Sequence, residues 1–137
     1  VAHTTNYSET IIAIAEDSSA ERGTMPPEKA ENPSVASRTW RMIAEHPYEF
    51  TSDDVIFSVW ADRQGIAEEE REAAREEFFA TGRACLRASD LGKKYGWGIH
   101  HDAEGRVALF GVESEEYRAF LDAEDVAVVK AMRSSRR

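Results

Sequence analysis

The sequence predicts an α+β fold, a small and mostly antiparallel sheet packed by several helices in a single domain spanning residues 1–137. Three observations predict it. An Ile-rich run near the start, Thr10–Ala15, is apolar on both faces, as a buried strand is. Helix-patterned stretches with capping residues fill the middle of the chain. Two alternating segments, Trp97–Asp102 and Arg106–Val112, flank a turn that ends in Gly105, as the strands of a hairpin do. With 137 residues, 42% of them hydrophobic and 9% aromatic, the chain can bury a core without metal or disulfide staples.

The elements follow in order. The first strand ends at the charged pair Glu16 and Asp17, and residues 18–33, with Pro26, Pro27 and Pro33, read as an extended loop. A loop this long is either mobile or functional. Ser34 to Glu45 predicts a helix with Val35, Thr39, Met42 and Ile43 on one side, stopping before Pro47. Thr51 followed by Asp53 and Asp54 is a helix start. Val55, Ile56, Val59 and Trp60 then share a helical face, although Val55, Phe57 and Val59 also alternate as a strand would, and Gly65 is the expected C-cap. Ala67 to Ala80 reads as the clearest helix, its Glu–Arg pairs at spacings of three a solvated face rather than a metal site. Ser89 caps one turn through Lys94, Ser114 caps a helix to Leu121, and Ala123 to Met132 predicts a last helix.

A net charge of −9 argues against nucleic acid and anionic membrane surfaces as partners. The basic tail from Lys130 to Arg137 reads as a solubilising helix end that complements the dipole. A lone cysteine, Cys85, cannot form an internal disulfide and fits a reducing, cytoplasmic setting. No apolar run approaches the roughly 20 residues a membrane span needs, and no signal peptide is visible.

Chemistry-bearing residues concentrate between Cys85 and Asp102. Alternation in the strand puts Trp97, Ile99 and His101 on one face and Gly98, His100 and Asp102 on the other. The adjacent histidines therefore diverge, and without distant help from His3 or His46 they cannot clamp one metal. No metal and no other cofactor is expected. Gly96 and Gly98 leave bare backbone beside Trp97 and His100, which serves either packing or a pocket floor. Cys85 fits a small core residue or, with Arg83 and Arg87 turned toward it, a nucleophile. Arg87, Lys93, Lys94 and Tyr95 gather positive and aromatic groups in an acidic chain, and Arg87 offers a planar fork for an oxyanion or for a surface ion pair.

His3–Tyr7 (HTTNY), Thr51–Val55 (TSDDV), Ala84–Ser89 (ACLRAS), Tyr95–His100 (YGWGIH) and Lys130–Ser134 together resemble a family of short bacterial proteins. The family is catalogued only as a domain of unknown function. The resemblance implies a single-domain bacterial protein and supplies no substrate, cofactor or catalytic residue.

Three functions fit these residues. One is a module that binds a small anionic ligand or a protein partner, with Arg87, Tyr95, Gly96, Trp97, Gly98 and His100 as the site. Another is a small enzyme with His100 as acid/base and Cys85 as nucleophile. The third is an interaction protein that uses an apolar patch around Trp40 or Trp60.

Overall fold

The structure, a computed structural model, describes residues 2–28 and 31–134. Two expectations extend past them: residues 29–30 of the long loop and Ser135 to Arg137 of the basic tail lie outside the described residues. Strand β1 (Thr10–Ala13) is followed by helices α1 (Val35–Glu45) and α2 (Ser52–Gln64), a 3-10 turn at Glu68–Glu70, and α3 (Arg71–Phe78). A second 3-10 turn at Leu86–Ala88 leads to the short α4 (Asp90–Lys93). The hairpin β2 (Trp97–His101) and β3 (Val107–Gly111), α5 (Glu115–Asp122) and β4 (Ala127–Lys130) complete the order.

Local chemistry sets most of these boundaries. The Ser34 side chain accepts from Ser37 N, and α1 ends at His46, ahead of Pro47. At α2 the Thr51 hydroxyl accepts from Asp54 N while the Asp54 carboxylate accepts from Thr51 N, a reciprocal capping box. Gly65 closes the helix at φ +70, where a Cβ would be strained. Ser89 and Ser114 cap α4 and α5 as expected.

The fold is α+β with a mixed sheet of order β3-β2-β1-β4: β2 pairs antiparallel with β1 and β3, and β4 lies parallel to β1. Two expectations need correction. The predicted last helix, Ala123–Met132, is a turn at Glu124 and Asp125 followed by β4, so Lys130 ends a strand and not a helix: Ala123 caps the end of α5, and β-branched Val128 and Val129 pair with Ile11 and Ile12. The helix predicted over Ala67–Ala80 is shorter, a 3-10 turn and then α3, because Ala67 is extended and its side chain makes no cap bond.

One face of the sheet carries the main core. Ile12, Ile99 and Val107 meet Ile43 of α1, Val55 and Val59 of α2, and Leu86. On the other face Tyr117 of α5 covers Gly98, and its hydroxyl accepts from Ile14 N at 3.0 Å. A second apolar cluster joins Phe57 and Ala61 of α2 to Phe78 and Phe79. Helix α2 is therefore packed from two sides, between the sheet and α3.

The chain start is fastened to α2. Thr5 donates its N–H and its hydroxyl to Asp53 Oδ1, each at 2.7 Å, and the Thr4 hydroxyl donates to Oδ2 at 2.7 Å. Asn6 Oδ1 accepts from Asp53 N at 2.9 Å. The HTTNY and TSDDV segments thus form one hydrogen-bonded unit.

The segment 18–28 is pinned rather than loose. Thr24 N donates to Tyr95 O and Trp97 Nε1 donates to Thr24 O, at 2.9 and 2.8 Å, while Gly23 N donates to Glu113 at 2.9 Å. Among the described residues no helix is long and apolar enough to cross a membrane.

Candidate ligand-binding cleft

Helix α2 has a third stripe besides the two it buries. Ile56, Trp60 and Arg63 recur at helical spacing and are not taken into either core completely. Together with Val35 and Thr39 of α1, Phe78 at the end of α3 and the segment Arg83–Ser89, they enclose a cleft of about 330 Å³. That volume lies at the small end of the range for small-molecule sites. The wall formed by residues 83–89 is extended until its 3-10 turn, and Leu86 anchors it in the main core.

The floor is apolar and aromatic: the Trp60 ring is tilted by 44° against Phe78 with centroids 4.9 Å apart, and Phe57 meets Phe78 edge-on at 5.6 Å. Arg83 lies over Phe78, its guanidinium carbon 3.9 Å from the ring centroid and its Nε donating to Phe78 O at 2.8 Å. Cys85 lines the cleft and is half-buried. Its Sγ is hydrogen-bonded to the Tyr7 hydroxyl at 3.4 Å. That bond, with burial behind it, pushes the Tyr7 phenol up, while Arg87 nearby opposes the rise.

Of the residues expected to form a site, Cys85 alone lines this cleft. Arg87 Nε donates to Lys130 O at 2.6 Å and Arg87 O accepts from Met132 N at 2.8 Å, so Arg87 blocks part of the open edge of β4. The bare backbone at Gly96 and Gly98 is filled by the chain itself. A Cβ at Gly96, which sits at φ +77, would lie 2.2 Å from Arg22 O, and one at Gly98 would lie 2.5 Å from the Tyr117 ring. Trp97 lies beneath Gly23, and Tyr95 O holds Thr24. This part of YGWGIH docks the loop and α5, so the expected pocket floor is occupied.

The two histidines diverge, as strand alternation requires. His100 Nδ1 meets the Tyr48 hydroxyl at 2.9 Å, and its ring stacks on Phe120 at 4.0 Å. Burial lowers its pKa, with Glu9 and Asp102 opposing. Burial and then Asp102 raise Tyr48. His101 points to the other side, edge-on to Tyr7 at 5.3 Å. It is fully buried, its Nδ1 donates to Ile99 O at 3.2 Å, and its Nε2 has no partner among the described residues. Burial drives its pKa down to about 4, so it is neutral at pH 7. Cys85 and His100 are thus bonded to different tyrosines on different sides of the sheet and do not form a pair. Among the described residues no group of three or more His, Cys, Asp or Glu gathers as metal ligands would.

Sequence reasoning did not join Ile56, Trp60 and Arg63 with Phe78 and Arg83 into one site: Trp60 was expected only as an interaction patch and Arg83 only as a neighbour of Cys85. The signal for the first three was present as an i, i+4, i+7 stripe, but it was merged into the core-facing side. Trp40, the other candidate for an apolar patch, is half-buried and packs at 6.4 Å from Trp97.

No curated protein and no solved structure matches the chain. The profile of a family of unknown function (DUF6157) matches residues 2–137. With the match running over nearly the whole sequence, the chain belongs to this family of unknown function, DUF6157.

Proposed function

We propose that the protein is a small-molecule-binding module whose site is the cleft between α1, α2, the end of α3 and the segment 83–89. The observation that carries this reading is an apolar cleft that the chain leaves open. Half-buried Trp60 lines it, tilted against the buried Phe78, Val35 at the lip is 53% exposed, and the space of about 330 Å³ holds no side chain of the protein. Folding has already placed a wall on each side of it, so binding a small apolar body would require little reorganisation. The catalytic pairing of Cys85 with His100 has no support in this arrangement, because each is engaged elsewhere.

Cys85 provides the test, because it lines the cleft and is the sole cysteine of the chain. The rate of its alkylation by a small reagent is measured with increasing amounts of uncharged and charged naphthalene, indole and C6–C8 aliphatic probes. Saturable slowing by at least one probe is expected, with Trp60 fluorescence changing over the same concentrations. An alkylation rate that none of the probes alters would overturn the assignment.

A further inference from the structure

We infer that the ligand of this cleft is an amphipathic organic anion, a carboxylate on an aromatic or aliphatic body, whose charged end is read by Arg63 and Arg83; this rests on the binding reading above. The first support is the charge pattern. The chain has 26 acidic and 17 basic residues, yet no Asp or Glu lines the cleft while two arginines do. A potential of that sign, set in an otherwise negative surface, favours an anion at this place and disfavours a cation.

The second support is that these arginines are not consumed by the fold. Among the described residues neither Arg63 nor Arg83 has a carboxylate partner. The acids of α2 are already engaged: Asp53 by Thr4 and Thr5, Asp54 by Arg75 at 2.8 Å, and Asp62 by Arg71 at 2.9 Å. Burial opposes ionisation of Asp54, but its bonds to Thr51 and Arg75 outweigh that and hold its pKa down. Arg83 is also pre-positioned, since its stacking on Phe78 and its Nε bond fix the plane of the guanidinium. A planar fork held beside an aromatic floor suits a carboxylate attached to an apolar body.

The neighbouring depression of about 310 Å³ along α1 and α2 provides the contrast. It too has arginines, but Glu45 and Asp62 line it with them, and Arg41 is paired with Glu45 and Glu28. That depression therefore carries its own carboxylates, whereas the first cleft carries none.

The test compares 2-naphthoate with its uncharged isostere 2-naphthalenemethanol, and with acetate and inorganic phosphate, by Cys85 protection and Trp fluorescence at low salt. Naphthoate is expected to bind about tenfold or more tightly than the alcohol, the size of charge-assisted hydrogen bonding. That preference, read as the ratio of the two affinities within each protein, should fall in Arg63→Gln and in Arg83→Gln and vanish in the double variant. Equal binding of naphthoate and alcohol by the wild type would overturn the anion assignment and leave the cleft reading standing. Acetate or phosphate competing as well as naphthoate would overturn the amphipathic half. Binding of none of these would overturn this inference, and silence across the wider panel as well would remove the cleft reading with it.

Discussion

Acidification from pH 7 to about pH 5 should strip about 2 kcal/mol from the fold through one side chain, His101. Its ring is fully buried, and its Nε2 makes no hydrogen bond of good geometry among the described residues, so the Thr10 backbone nearby offsets burial only in part. Protonation there would place a charge in an apolar setting, so burial holds the folded pKa at about 4, against 6.5 for the free group. Between those values the unfolded chain binds a proton that the folded chain refuses. Stability from this group is therefore complete above about pH 6.5 and declines as pH falls toward 4. At about 1.4 kcal/mol per pH unit the full effect is about 3 kcal/mol, of which about 2 is lost by pH 5. His100, also lowered by burial, adds a contribution of the same sign. The lowered carboxyls of Asp54, Glu16 and Glu113 act at lower pH, because their ordinary values are 3.8 to 4.5. The assay is urea unfolding at pH 7, 6 and 5 for the wild type and for His101→Phe, which keeps a ring against Tyr7 and removes the titrating nitrogens. The variant should lose about 2 kcal/mol less than the wild type over this range. Identical pH dependence in the two proteins, or an NMR titration of His101 near 6.5, would refute the reasoning.

Two further predictions concern the scaffold. Asp53→Ala removes the carboxylate that holds Thr4 and Thr5 and should cost about 3 kcal/mol, with the Thr5 amide exchanging much faster; a loss under about 1 kcal/mol would contradict the role given to this unit. Gly98→Ala drives a methyl group into the Tyr117 ring and should cost about 2 kcal/mol. In a Tyr117→Ala background the same change should cost less than about 1 kcal/mol, and additive losses in the double variant would show that the ring is not what Gly98 accommodates.

Much of the fold was legible where a single local cause decides an element. The caps at Thr51, Ser89 and Ser114, the turn at Gly105 and the stop before Pro47 each depend on one side chain or one dihedral angle, and each is visible in the sequence. Helix α2 was harder for a definite reason. Its buried positions, Val55, Phe57, Val59 and Ala61, alternate like a strand because the sheet core takes Val55 and Val59 while the second cluster takes Phe57 and Ala61. Burial from two sides erases the 3.6-residue period. Strand β4 was misread because four residues carry too little pattern to show a period, and its extended state comes from pairing with the distant β1.

The candidate site was legible in part. Divergence of His100 and His101 follows from alternation alone, and the structure places them so. Which surface covers a glycine does not follow, because Arg22 and Tyr117 reach Gly96 and Gly98 from far along the chain. The cleft itself joins α1, α2, α3 and residues 83–89, so no short window of sequence contains it. Arg63 and Arg83 gain their meaning only when the partners of the surrounding acids are known.

The most direct test of the central claim is a map of amide and indole NMR shifts on titration with 2-naphthoate. The account predicts shifts confined to Ile56–Gln64, Phe78, Arg83–Ser89 and the Trp60 indole, with Tyr95–His100 unmoved. Shifts centred instead on Trp97 and His100 would place the site in the glycine-bracketed strand and contradict the account.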